Sequence, residues 1–521
     1  MTRATLLENG LVIDGTAAGG WIGDVLLVGD QIAALGKDLR HQLPEGLRLE
    51  EVSCVDCSGL AITPGFIDVH THDDAIVLKH PDMLPKVSQG ITTVITGNCG
   101  ISLAPFVVEK PEPPLNLLGT DSFQFDSVQS YERAVAAAQP AVNVAVLIGH
   151  TTLRFACMDD LARAASASEL DAMCALLTRC MEDGAAGLSS GLFYEQAFAA
   201  PAEEVVRLAQ VVSRFGGVYA THLRSEMQAI IEALHEAGDT AFRAGVPLII
   251  SHHKCAGPAN WGRTLETLPL IESLASRQPV AMDVYPYVAG STVLREDLVD
   301  GVIDVLVSWS TPHPEMTGRT LASIAAEWGV DQKAVCRRLQ PGGACYFQMN
   351  EDDVKRVIAH PLAMIGSDGL PHDQHPHPRL WGAFPRVLAR YWREQKLFSL
   401  ETAIYKMTGL SARNFRLHQR GQLQVGWHAD VVVLDPARVR DVATYETPVA
   451  LSEGIEKVFV NGVLAYAAVG SDVAEPGEAR VQARAGRLLK RHAPQQAPSE
   501  GFGYADHLSN LGVKRDARKL G

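Results

Sequence analysis

The chain has 521 residues, long for one average domain but suited to a large barrel with additions. Hydrophobic residues make up 47% and charged residues 20%, the balance of a globular enzyme. The formal charge of −14, from 46 basic against 60 acidic side chains, argues against a nucleic-acid partner and obliges the site of any anionic substrate to supply its own cations.

The first 60 or so residues read as short strands, ATLLENGLVIDG, DVLLVGDQIAALG and LRLEEVSCVDCSGLAITPG, separated by Asp-Gly, Gly-Asp and Pro-Gly turns. The opening stretch lacks the apolar core of a signal peptide, and no run of about 18 apolar residues occurs anywhere, so no membrane span is expected. Nine cysteines without a framework spacing suit a reducing compartment, and a cytoplasmic protein is expected. Cys54-x-x-Cys57 has no second pair to complete a zinc ribbon and reads as part of an alternating strand.

From residue 63 the pattern changes to alternating strands and helices. The apolar strands are FIDVHTH, TTVITGNCG, NVAVLIGH, GLSSGL, GVYATHLR, PLIISHHK, PVAMDVYP and AMIGSDG. Segments such as SASELDAMCALLTRCMEDGAA and AEEVVRLAQVVSRFGG between them carry helical periodicity. Eight near-continuous apolar strands in βα units predict a closed parallel (β/α)8 barrel, here over 63–289 and 356–417. No GxGxxG follows an early strand, which disfavours a nucleotide-binding sheet. Roughly 75 residues separate the seventh and eighth strands, too many for a βα loop, so 290–355 reads as a lid over the catalytic end. GQLQVGWHADVVVLDP and IEKVFVNGVLAYAA resume the short-strand pattern, and 1–62 with 418–475 are expected to form one small β-sandwich. The polar remainder, 476–521, reads as an extension whose last stretch, roughly 30 residues, is poorly ordered.

Strand ends in a barrel converge on one rim, and here they carry ligands. His70 and His72 stand two apart after an apolar strand, so their imidazoles share a face and suit zinc. Asp73 and Asp74 follow as acceptors for a ring N–H or as caps of the next helix. Cys99, between glycines at the second strand end, reads as a thiolate ligand or, alternatively, a nucleophile. His222 and His252 end strands five and six, with Arg224 and Lys254 on the same faces by parity and His253 turned to the helix layer. Asp368, on strand eight in an apolar setting, is placed to take a proton from an activated water and pass it on.

The motifs PGFIDVHTHDD, GNCGIS, THLRSE, SHHKCAG, DVYPY, GSDGLPHD and HPRLWGAFPRVLARY resemble, in order, those of the N-acyl-D-amino-acid deacylases of the amidohydrolase superfamily. The resemblance implies a zinc enzyme cleaving N-acyl-D-amino acids into a D-amino acid and a carboxylate. It implies a tight zinc on Cys99, His222 and His252, and a weaker metal position at His70, His72 and Asp368 that Cys99 can bridge. It further implies that Lys254, Tyr285 and Arg379 hold the substrate α-carboxylate. The carboxylated lysine that many superfamily members carry on strand four is replaced here by LSSGL. Arg295 enters the lid just after strand seven, which leans the expectation towards N-acyl-D-glutamate over apolar D-amino acids. A cyclic-amide hydrolase of the hydantoinase or dihydroorotase type and a non-catalytic binding protein on the same fold are the alternatives.

Overall fold

The computed structural model describes residues 3–468 and 481–491. Eight parallel strands form the central sheet: β1 (Phe66–Asp68), β2 (Ile91–Thr96), β3 (Asn143–Gly149), β4 (Gly187–Gly191), β5 (Val218–His222), β6 (Leu248–Ile250), β7 (Val280–Val284) and β8 (Ala363–Ile365). Each pairs with its sequence neighbour, in the order β8-β7-β6-β5-β4-β3-β2-β1. Among the described residues a single bridge, Thr71–Gly369 just beyond the two strands, joins β1 to β8, so the barrel is closed there by side chains more than by a ladder. Every residue of these strands is buried, as a sheet filled inside and covered by helices requires. The interior is packed by Ile67, Ile95, Leu147, Val218, Ile249 and Met364.

The covering helices begin and end where their sequences direct. Ser166 and Glu169 form a capping box at the start of Ala167–Glu182, satisfying amide donors that a helix start leaves free. The helix Ile230–Ala244 stops at Gly245, whose φ of 65° is the left-handed conformation that closes a helix.

Both ends of the chain contribute to a second, eight-stranded sheet. Ala4–Val12 pairs with Trp21–Val28, along its first half with Val52–Asp56, and near its end with Ala61–Pro64, which in turn pairs with Val431–Leu434. The sandwich is thus one sheet that branches at its first strand and encloses a shared core of Leu7, Val25, Ile62, Val431 and Phe459. Cys57 lies in that core while Cys54 is exposed, so the Cys-x-x-Cys pair does not converge on a metal.

Between β7 and β8, Gly290–Val293, Val305–Ser310 and Gly342–Tyr346 form an antiparallel sheet with the last strand in the middle. The helices Leu321–Trp328 and Gln332–Leu339 complete this unit, which has its own core around Val307, Ile324 and Val335. Residues 481–491 form a strap that composition had marked only as polar. Leu488 bridges to Val144 at the start of β3, and Leu489 packs against the barrel interior from below. The last thirty residues, read above as poorly ordered, lie outside the described residues. No described helix is long and apolar enough to cross a membrane.

Candidate metal centre and substrate site

The rim at the C-terminal ends of the strands gathers the residues expected from sequence. His70 Nε2 lies 3.2 Å from Cys99 Sγ, and Cys99 Sγ lies 3.5 Å from His252 Nε2. His252 Nε2 is 3.0 Å from His222 Nδ1. On the other side, Asp368 Oδ1 stands 3.6 Å from His70 Nε2 and 3.4 Å from His72 Nε2. All six side chains are buried. The donors fall into overlapping groups: His70, Cys99 and His252; His70, His72 and Asp368; and His222, Glu226 and His252. His70 therefore belongs to two of these candidate groups, and Glu226 joins His222 and His252 in the third.

Holding these groups together strains the backbone. Cys99, His252 and Asp368 have φ of 54°, 33° and 50°, in the left-handed region that costs a non-glycine residue about 1–3 kcal/mol. The surroundings fix each of them. Asp283 Oδ1 accepts the His252 amide at 2.9 Å, and the His70 carbonyl accepts the Asp368 amide at 2.8 Å. On β4, Ser189 accepts the Gly100 amide and donates to the Gly97 carbonyl, clasping the Cys99 loop from both sides. Gly191 is required beside it, because a Cβ there would lie 2.2 Å from the Cys99 carbonyl oxygen. The strand that lacks a lysine thus anchors the cysteine loop.

Burial alone would neutralise these groups, yet their mutual charges prevail. Burial pushes the Cys99 thiol up, but His70 and His252 draw it well below its ordinary value. Burial likewise opposes ionisation of Asp368, which Arg379 and His70 nevertheless hold well below the usual carboxylate range. Against burial, Asp368 and Cys99 raise His72 to about 9. Within each group one donor atom per residue lies within 4.8 Å of the others. A thiolate, imidazoles and a carboxylate converging in this way fit a borderline-soft divalent cation such as zinc.

Beside the cluster, the Tyr285 ring lies close to two cations. Arg379 Cζ is 4.4 Å and Lys254 Nζ 5.9 Å from its centroid. Arg379 Nη1 reaches Asp368 Oδ2 at 3.0 Å, while its Nε has no hydrogen-bond partner. Lys254 Nζ is 2.6 Å from Glu226 Oε1. One cavity is lined by His72, Cys99, His222, Lys254, Tyr285 and Asp368, with Phe193, Met227 and Leu298 among its apolar walls.

Two expected residues lie elsewhere. Arg224 turns outward, forking onto Glu236 and bonding the carbonyls of Phe198 and Ala200, because strand parity ends with β5 at His222. Neither Arg295 nor Arg379 lines the cavity, but Arg379 lies against the lining residues Asp368 and Tyr285, whereas Asp297 holds Arg295 through two bonds of 2.9 and 2.7 Å and its guanidinium stacks on Phe193 at 4.4 Å. His253 does face the helix layer, 2.8 Å from Thr267. Neither Asp73 nor Asp74 meets a ligand histidine as an acceptor: Asp73 pairs with Lys86, and Asp74 accepts the Gly97 amide. That acceptor is Asp283, 3.3 Å from His70 Nδ1. Sequence reading assigned no role to Asp283, Glu226, Lys86 or Ser189. Asp283 and Glu226 could have been found inside the DVYPY and THLRSE motifs, as carboxylates at or just beyond strand ends.

The model of the Amidohydrolase family matches residues 53–268 and 313–466. Three curated proteins of Alcaligenes xylosoxydans xylosoxydans are similar over nearly the whole chain. A D-aminoacylase is 49% identical over 94% of this chain and 98% of its own, and an N-acyl-D-aspartate deacylase is 47% identical over 91% and 94%. An N-acyl-D-glutamate deacylase is 44% identical over 94% and 96%. Among solved structures, a D-aminoacylase superposes with a TM-score of 0.87 at 49% identity, covering 94% of this chain and 99% of that one. The N-acyl-D-glutamate deacylase of Bordetella bronchiseptica, complexed with zinc and a phosphonate mimic of the tetrahedral intermediate, gives 0.86 at 42% identity, covering 94% and 100%. A D-hydantoinase from a Thermus species, at 15% identity and a TM-score of 0.54, shares the fold alone. The chain belongs to the amidohydrolase superfamily and, within it, to the family of D-aminoacylases and N-acyl-D-amino-acid deacylases.

Proposed function

We propose that this chain is a zinc-dependent N-acyl-D-amino-acid deacylase that prefers apolar side chains. The similar proteins are named for different substrates, so the choice of side chain rests on the cavity. The observation that carries it is the wall formed by Phe193, Met227 and Leu298, with Arg295 tied to Asp297 outside. Beyond Lys254, which the α-carboxylate takes, and the histidines of the cluster, the lining offers an acidic side chain no cation, and burying such a charge unpaired costs far more than an apolar one gains. The lean towards D-glutamate, which rested on Arg295, is therefore replaced. Preference for the D enantiomer is carried over from the relatives.

Cys99, His222 and His252 would hold the tight zinc, with His70, His72 and Asp368 as the weaker position. Bound there, zinc would supply Lewis acidity to the amide carbonyl and to water. The chain's own residues do the rest. Lys254 and Arg379, either side of Tyr285 in function, supply cationic donors for the α-carboxylate and so fix the scissile amide over the cluster. Asp368, kept ionised by Arg379, accepts the proton of the attacking water at a carboxylate oxygen and gives it to the departing amine.

A substrate panel of N-acetyl-D-Leu, D-Met, D-Asp and D-Glu with L controls tests this reading. D-Leu or D-Met should exceed D-Glu in kcat/KM by roughly a hundredfold, the scale of rejecting an unpaired buried charge, and Arg295→Ala should leave the ranking intact. A D-Glu preference that Arg295→Ala abolishes would overturn the apolar assignment. Hydantoin turnover without any N-acyl-D-amino-acid turnover would favour the cyclic-amide alternative.

A further inference from the structure

The outer face of the insertion borders a second cavity of about 820 Å³ that no step of the hydrolysis uses. It adjoins the cavity of the candidate metal centre. Tyr194 lines both cavities, and three neighbouring pairs divide between them. Leu117, Thr292 and Leu298 face inward, while Asn116, Val293 and Asp297 face outward.

The strand order gives this neighbour a meaning. The clamp residues Lys254, Tyr285 and Arg379 follow β6, β7 and β8. In an eight-stranded ring the strands opposite are β2, β3 and β4. An N-acyl amino acid is linear from carboxylate to acyl chain, with the scissile carbonyl between them. With its carboxylate on the clamp and its carbonyl over the cluster, its acyl group points at the loops after β2 and β4. Those loops supply Leu117 and Tyr194 to the inner cavity, and Pro113, Pro114 and Asn116 to the outer one. The outer cleft continues over Val293, Leu294 and Trp309 of the insertion. Of its charged lining residues, Arg295 pairs with Asp297 and Glu296 with Arg337, while Glu195 and Lys333 also line it.

We propose that this outer cleft is the acyl-chain subsite, taking the tail of a medium-length aliphatic acyl group that passes beside Tyr194. The inner cavity takes the amino-acid portion and the first acyl carbons. The subsite rests on the deacylase reading above and adds to it the class of acyl group. Each methylene that leaves water in the cleft lowers KM, by roughly two- to fourfold.

The test compares the zinc-loaded full chain on N-acetyl-, N-butanoyl- and N-octanoyl-D-leucine. We expect kcat/KM to rise at least tenfold from butanoyl to octanoyl, chiefly through KM. Val293→Glu, which sets a carboxylate in the cleft at a half-buried edge-strand position, should erase that rise and leave N-acetyl-D-leucine turnover unchanged. Trp309→Ala should reduce the rise without affecting the acetyl substrate. Octanoyl turnover no better than acetyl, or equal losses on both substrates in Val293→Glu, would overturn the subsite. Failure to hydrolyse any of the three would overturn the deacylase reading itself, and the subsite with it.

Discussion

Asp368 is the most heavily engaged residue of the site. It faces His70 and His72 with one oxygen and Arg379 with the other, in a backbone conformation that only its surroundings make tolerable. Removing its charge while keeping its shape separates proton transfer from metal retention. Asp368→Asn should keep close to one zinc per chain by elemental analysis and lose roughly 10²–10⁴-fold in kcat, the usual worth of a general acid–base group. Near-normal turnover would remove it from that role. Cys99→Ser should act in the opposite order, losing zinc first. The candidate ligands were legible in sequence because each sits at the end of an apolar strand, where topology alone sets the destination. Glu226 and Asp283 were harder to assign. Their importance lies in contacts with Lys254, His252 and His70, partners brought near by the ring of strands. Arg295 could not be placed from sequence, because proximity along the chain to β7 says nothing about the nearer carboxylate, Asp297, that pairs with it.

At the scale of elements, the weak point of the barrel is the seam between β1 and β8, and the candidate metal group of His70, His72 and Asp368 straddles it. A buried tie crosses this seam. Lys86 Nζ lies 2.8 Å from Asp68 Oδ2 on β1 and 2.9 Å from Ser367 Oγ beside Asp368, and Asp68 also accepts the Ser367 amide. Lys86→Met would leave Asp68 and Asp73 buried without their cation. A loss of about 3–5 kcal/mol in unfolding free energy is expected from denaturant titration; a change under 1 kcal/mol would show the tie to be dispensable. A second joint, between the β8 loop and the insertion, is acid-sensitive. Burial raises the Asp373 carboxyl to about 7, partly offset by Ser308 and Arg379. A carboxyl raised on folding contributes stability below its unfolded value near 3.9 and loses it as pH climbs towards 7. Asp373→Asn should therefore raise Tm at pH 8 and leave it nearly unchanged at pH 4; the reverse pattern would contradict this assignment. The eight strands were readable from their apolar runs, but the seam was not, since missing backbone pairing leaves no mark on hydrophobicity.

For the whole molecule, chain ends far apart in sequence secure the barrel. The branched terminal sheet joins residues 4–64 to 431–467, and the strap 481–491 runs beneath the barrel, where Arg491 bonds the carbonyls of Phe215 and Met181. Leu489→Ala should cost about 1–2 kcal/mol of stability by partial loss of apolar burial, measured by denaturant titration, without changing kcat. An unchanged midpoint would show the strap to be passive. The strap escaped sequence reading because its few apolar residues, Leu488 and Leu489 among them, sit in a polar stretch held otherwise by backbone bonds and by arginines such as Arg487 and Arg491. The central claim, that this rim is a metal-dependent deacylase centre, is tested most directly by titrating zinc into metal-stripped protein while following hydrolysis of N-acetyl-D-leucine. Turnover should rise to its full value with one equivalent and stay absent for the L enantiomer. Full activity in the stripped protein, or none at any zinc level, would contradict the account.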